Sequence, residues 1–317
     1  MAEPTKPTTA STQSKSVVGD PTKAAMNTAT AKQAFQITGF DDDDDEVQRL
    51  NMVVYGPYGS GKTTLMATAA DVEEMGDVLM IDIESGKLSI KDSARVKNKK
   101  RIDVVRIMNF RQMGQVHDNF LKPHIKLRDD HSPEATQKLR ELEAKFKGVP
   151  VEKIKEPKRY NTVIIDSLTE LDKIVIYELL GFSTTGTLGD LIQDNDMDVA
   201  EFKEYKQNNQ MMQLITRAFR DLDINSLFVV QEAYVQDELK RMLYSPALTG
   251  KLGKQVQGMV DIVAYLQVGS PKEGATEAPR RLQLQPGTRF DAKNRMAGFK
   301  ESFIDDPNMS KIWAALG

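Results

Sequence analysis

Gly56, Gly61, Lys62 and Thr63 follow the spacing G-x-x-x-x-G-K-T in the segment Gly56-Pro57-Tyr58-Gly59-Ser60-Gly61-Lys62-Thr63-Thr64. Glycines at these positions let a loop wrap round a phosphate chain, with successive backbone N–H groups turned inward at its oxygens. A helix starting near Lys62 adds its positive end to the same spot. Lys62 is then placed to neutralise β- and γ-phosphates, and the Thr63 hydroxyl to hold Mg²⁺. The motif has meaning only between a strand and a helix, and the apolar run Leu50 to Tyr55 supplies the strand. The segment reads as a nucleoside-triphosphate site of the Walker A kind, with ATP and Mg²⁺ as expected ligands.

Three further polar residues end apolar runs. Asn161-Thr-Val-Ile-Ile-Asp166 has the composition of a buried parallel strand with an acid at its C-terminal tip, where open α/β sheets bind ligands. Asp166 is expected to complete the Mg²⁺ shell opposite Thr63 as a Walker B aspartate; the alternative is an Asp that caps the helix beginning at Leu168. The next residue is Ser167, so a water-activating carboxylate must come from elsewhere. Glu84, two residues beyond the run Val78 to Asp82, is the candidate base; otherwise it is a turn acid before Gly86. Gln231, ending Leu227-Phe-Val-Val-Gln231, is a candidate γ-phosphate sensor or a simple strand terminus. The expected catalytic set is Glu84, Lys62 and Gln231.

These residues need a parallel sheet to bring them together. Strands are expected at Leu50 to Tyr55, Val78 to Asp82, Ile102 to Ile107, Thr162 to Asp166, Leu227 to Gln231, Ile262 to Val268 and Arg281 to Leu284. Helices are expected at Pro133 to Lys147, with Leu139, Leu142 and Phe146 on one face, at Leu168 to Leu180, and at Val199 to Leu222. The last carries a Met211, Leu214, Ile215, Phe219 stripe, and its paired methionines belong in a core. The fold class is α/β, a mostly parallel sheet flanked by helices. A charged insertion occupies about residues 109 to 158. His117, His124 and His131 lie seven apart inside it; Pro123 should break any helix they share, and solvated histidines are expected. Residues 1 to 46 have almost no large apolar residues until Phe35 and end in Asp41 to Asp45 and Glu46, so they read as a disordered, acidic-ended tail ahead of a domain at 47 to 317.

Composition narrows the classes. The chain has 317 residues, 43 basic and 46 acidic, for a net charge of −3. Nothing global marks a nucleic-acid binder, so such a role must rest on local patches. No cysteine is present, which excludes disulfides, thiolate-bound zinc and a cysteine nucleophile. No apolar run reaches the ~20 residues that span a bilayer. The N-terminus lacks the apolar core of a signal peptide, and a cytoplasmic protein with no membrane partner is expected.

The strand-borne Asp82-Ile-Glu84, the Asp166-Ser167 strand end and the polar tip at Gln231 resemble the RecA-type ATPase core. The order of segments is similar to that of phage RecA-like single-strand annealing ATPases: Asp82-Ile-Glu-Ser-Gly86, then Ile165-Asp-Ser-Leu-Thr-Glu-Leu171, Pro246-Ala-Leu-Thr-Gly250-Lys251, Asp261-Ile-Val and Lys293-Asn-Arg295. The resemblance spans roughly residues 48 to 315. It implies ATP hydrolysis coupled to single-stranded DNA binding in bacteriophage recombination. It also implies a homo-oligomer, ring or filament, in which Lys251 or Arg295 reaches a neighbour's γ-phosphate, and a single-strand-binding protein as a further partner. The alternatives are a DNA-translocating motor of helicase or packaging type and a nucleotide-gated DNA-binding module with negligible hydrolysis. Two local features fit DNA. Lys87, Lys91, Arg95, Lys97, Lys99, Lys100 and Arg101 form a basic stretch, joined by Lys251, Lys254, Lys293 and Arg295, and Tyr234 and Tyr244 are candidate base stackers.

Overall fold

Successive residues of a strand point to opposite faces, so a strand apolar at every position needs cover on both sides. The strands around the glycine-rich loop are of this kind. The computed structural model describes residues 49–181, 200–236, 239–271, 278–296 and 301–316. In chain order the elements are β1 (Asn51–Gly56), α1 (Lys62–Ala67), β2 (Asp77–Asp82), α2 (Lys87–Lys91), β3 (Ile102–Arg106) and α3 (Phe110–Gln115). A π-helical turn (Val116–Leu121) leads into α4 (Lys122–Arg128), then α5 (Pro133–Lys147), β4 (Tyr160–Asp166), α6 (Leu168–Leu179) and α7 (Phe202–Arg220). The chain continues with β5 (Asn225–Gln236), β6 (Met242–Pro246), α8 (Leu252–Met259), β7 (Ile262–Val268), β8 (Arg280–Gln283), β9 (Lys293–Asn294), β10 (Phe303–Asp305) and α9 (Met309–Ala314).

The sheet runs β10-β8-β7-β1-β5-β4-β2-β3. The six strands from β7 to β3 are mutually parallel, whereas β8 and β10 extend that edge in antiparallel fashion. Each expected strand is present. On one face Val53, Tyr55, Ile81, Ile165 and Phe228 pack against helices that include α6, α7 and α8. On the other, Met52, Val54, Met80, Ile164 and Val229 pack against α1 and α9. The register sets Gly56 beside Gln231, and Asp82 beside Asp166; Gln231 is not the strand terminus expected, because β5 runs on to Gln236 and pairs with β6. Because β5 lies between β1 and β4, Gln231 falls between the glycine-rich loop and Asp166.

Several expectations need correction. Residues 109 to 158 are no excursion from the fold, because Met113, Val116, Phe120, Leu121 and Leu139 are buried and help form the helical layer. Pro123 does not end the helix. Proline lacks an N–H and crowds the carbonyl one turn back; the wider π turn just before α4 accommodates both defects. His117 and His124 are buried, not solvated: His117 bonds Asp118 Oδ1 (2.9 Å) and Ala218 O (3.1 Å), and His124 bonds Lys158 O (2.8 Å). Burial holds the His124 imidazole below its ordinary pKa. Only His131 of the three is exposed. On α7 the core stripe is Met212, Ile215 and Phe219, and Leu214 faces outward. Asp41 to Asp45 and the rest of the expected tail lie outside the described residues. No described helix is long and apolar enough to cross a membrane.

Candidate functional site

The glycine-rich loop leaves β1 and enters α1 through Gly61, whose φ of 93° is open to glycine and strained for other residues. Lys62 follows, only 5% exposed, and its ammonium points back into the loop. Nζ donates to Gly56 O and Pro57 O, both at 2.8 Å, and to Gln231 Oε1 at 3.0 Å. Burial pulls its pKa down to about 8, against the opposing pull of Glu84, Asp166 and Glu232. Gly59 is open to one side, Tyr58 stands 77% exposed on the loop, and Thr64 Oγ1 reaches Ser89 O at 3.5 Å. Ser60 is buried with its hydroxyl unpartnered.

Thr63 Oγ1 donates to Asp166 Oδ2 at 2.6 Å, joining the start of α1 to the end of β4. Asp166 Oδ1 is buried without a partner. Burial pushes the Asp166 carboxyl up to about 6, the Thr63 hydrogen bond opposing it and the nearby Glu84 and Asp82 adding to it. A buried carboxylate with an unused oxygen, beside a hydroxyl, fits a hard divalent cation, which takes one or two protein oxygens with phosphates and waters. The described residues contain no cluster of three or more His, Cys, Asp or Glu for a metal; a cation shared with phosphates does not need one. Asp166 is not a helix cap, since Ser167 fills that position and accepts from Glu170 N at 3.3 Å.

Glu84 reaches the same place from β2. Its two carboxylate oxygens each accept from Gln231 Nε2 at 3.1 Å, and one also accepts the Ser167 hydroxyl. Lys62, Gln231, Glu84 and Ser167 thus form one hydrogen-bonded chain across the C-terminal ends of β1, β2 and β4 and the middle of β5. The turn after β2 is pinned by Asp82, whose carboxylate accepts Gly86 N (2.8 Å) and Lys87 N (3.4 Å). A Cβ at Gly86 would stand 2.9 Å from Asp166 Oδ2, so this turn closes directly over the Thr63–Asp166 pair.

Sequence reasoning missed Arg280, whose Nε donates to Ser60 O at 2.9 Å and braces the loop from β8. Nothing local signals it, because 220 residues separate the two. Arg280 and Arg95 also line a cleft of about 310 Å³ beside Gly61 and Thr64, which leaves room next to the phosphate cradle. Thr169 was missed too: its hydroxyl accepts Gln231 N (2.9 Å) and donates to Ala247 O (3.0 Å), tying α6 to β5 at Gln231.

The expected DNA features are not assembled as the sequence suggested. Arg101 donates to Ala70 O (3.1 Å) and Val72 O (3.2 Å), Arg95 pairs with Asp306, and Lys99 donates to Lys91 O (2.8 Å), so these three hold loops, whereas Lys87, Lys91, Lys97 and Lys100 are exposed. Lys293 donates to Gln257 O and Val260 O, Lys254 pairs with Asp291, and Arg295 donates to Gly258 O. Tyr244 stacks on Tyr265 within an aromatic cluster, whereas Tyr234 is 65% exposed. Lys251 is exposed just ahead of α8.

Glycine loop, buried lysine, and hydroxyl–aspartate pair at the ends of parallel strands define a P-loop nucleotide-binding domain. Residues 48–296 match the family described as AAA domain, and the chain belongs to that family. No curated protein matches the chain. Among solved structures it is similar to the RadB recombinase, with TM-score 0.34 and 16% identity over 76% of this chain and 82% of that one. It is also similar to the flagellar accessory protein FlaH from Methanocaldococcus jannaschii, with TM-score 0.37 and 9% identity over 86% and 92%.

Proposed function

We propose that residues 47–317 form a Mg²⁺-dependent ATPase that acts on single-stranded DNA, in annealing or recombination of the kind the phage resemblance implies. The observation that carries the ATPase reading is the chain from Lys62 through Gln231 to Glu84, set beside the Thr63–Asp166 pair. ATP phosphates would lie along residues 56–64, with the nucleoside in the cleft between Arg95 and Arg280. Lys62 would exchange Gln231 Oε1 for phosphate oxygens. Bound Mg²⁺, held by Thr63 Oγ1 and Asp166, would neutralise charge on the β- and γ-phosphates. Glu84 would take a proton from water as the water oxygen bonds to the γ-phosphorus and the bond to the β-phosphate oxygen breaks, releasing ADP and phosphate. Gln231 would report the γ-phosphate to the β5–β6 hairpin. Assembly into a homo-oligomer would let Arg295 supply a cation to a neighbouring site.

A second reading, a nucleotide-gated binder with slow turnover, is favoured by one observation: Glu84 is engaged by Gln231 and Ser167 and must be released before it can act. Phosphate release measured with and without single-stranded DNA, beside annealing of complementary strands, separates the two. The ATPase reading expects DNA-stimulated release together with annealing. Release unchanged by DNA and barely above background would favour the gated binder, and strand displacement would favour a motor.

A further inference from the structure

Helix α7 carries two stripes. One, through Asn208, Met212, Ile215 and Phe219, is buried. The other, through Phe202, Tyr205, Lys206 and Gln213, faces an open groove of about 770 Å³ whose far wall is the Thr249–Lys251 turn and the start of α8. Phe202 is 84% exposed and Tyr205 44%. Water solvates such rings poorly. Gln213 Nε2 bonds Gln255 Oε1 across the groove floor at 3.1 Å. Among the described residues that line the groove there are two lysines and no carboxylate. The acids of the adjacent first turn, Glu201 and Glu204, are turned onto the helix's own amides as a reciprocal cap.

One buried carboxylate holds both walls. Asp172 on α6 accepts Asn208 Nδ2 of α7 at 2.6 Å and both Thr249 N and Thr249 Oγ1 at 2.7 Å. The groove is therefore a built feature, braced by the helix that begins immediately after Asp166 and Ser167. Exposed aromatic faces, lysines and neutral amides are the chemistry of a surface that tracks a single nucleic-acid strand: bases stack on the rings and phosphates meet the ammonium groups. A duplex, its bases already stacked, has no use for the rings.

We propose that a single nucleic-acid strand binds in this groove, its bases on Phe202 and Tyr205 and its phosphates against Lys206 and Lys251, and not along the Lys97–Arg101 stretch. The assignment rests on the reading of the protein as a single-strand binder. The test is fluorescence anisotropy of labelled oligothymidylate and oligouridylate with the full chain. Phe202→Ala/Tyr205→Ala should weaken binding by at least about tenfold, since each stacked base contributes about 1–3 kcal/mol. Lys206→Gln/Lys251→Gln should reduce the salt slope by about 1.4, at roughly 0.7 for each phosphate no longer neutralised, while Lys97→Gln/Lys100→Gln should leave it unchanged. All four groove residues are surface side chains, so the variants should keep wild-type melting curves. Thymidylate bound in preference to uridylate supports DNA as the strand; the reverse supports the groove with RNA as its occupant. Wild-type affinity in both groove variants overturns the assignment while leaving the single-strand reading intact. A changed sedimentation coefficient in Phe202→Ala/Tyr205→Ala with unchanged strand affinity makes the groove an interface between copies, which also overturns it. No binding by the wild-type chain overturns the assignment and the reading together.

Discussion

Lys62 and Asp166 have opposite charges and are both displaced toward neutrality by burial, the lysine to about 8 and the carboxyl to about 6. In the proposed ATPase both would need their charge to hold a Mg²⁺–triphosphate complex. On the proposed reading, Asp166 would take up a proton below about pH 6 and lose its hold on the cation, and Lys62 would lose above about pH 8 the charge that meets the phosphates. Affinity for a fluorescent ATP analogue with Mg²⁺ should therefore be greatest between these values. It should fall by up to about tenfold per pH unit on the acid side through Asp166 alone. The nucleotide's own phosphates titrate nearby, so the comparison that matters is with Asp166→Asn. That variant should bind more weakly at neutral pH and show a shallower acid limb. An acid limb of equal steepness in both proteins would remove Asp166 from the cation site. At this scale the sequence was informative wherever chemistry dictates spacing. The loop from Gly56 to Thr64 and the strand-end acid Asp166 were legible because few other jobs demand those types there. Arg280 and Thr169 were not, since each acts on a backbone group distant in sequence, and no spacing encodes such pairings.

The elements were legible to the extent that burial leaves a one-dimensional trace. Strands covered on both faces read as unbroken apolar runs, so β1, β2, β4 and β7 could be placed closely. Residues 109 to 158 deceived because their charge drew attention from a sparse apolar pattern, Met113, Val116, Phe120 and Leu121, which turns out to be core. The seven-residue spacing of the histidines pointed to one helical face; burial of that face at His117 and His124 was the part left unread. The correction has a measurable consequence. Phe120 is 1% exposed and stacked on Phe146 at 4.1 Å. Phe120→Ala should lower unfolding stability by about 3–5 kcal/mol in a chemical denaturation experiment. A peripheral insertion would lose no more than a fraction of that.

On the scale of the whole molecule, the parallel order β7-β1-β5-β4-β2-β3 collects residues from positions 56 to 231 at one edge of the sheet, and α6 links that edge to the Asp172-braced groove. Binding and turnover are separable in such a layout, because Glu84 sits in the hydrogen-bonded chain but not in the phosphate loop. The most direct test is Glu84→Gln, measured for both properties on the same preparation. The account predicts that ATP affinity stays within a few-fold of wild type while steady-state phosphate release falls by about 10²–10⁴-fold, the usual contribution of a positioned general base. Wild-type phosphate release from Glu84→Gln, with another carboxylate variant such as Glu170→Gln inactive, would contradict it.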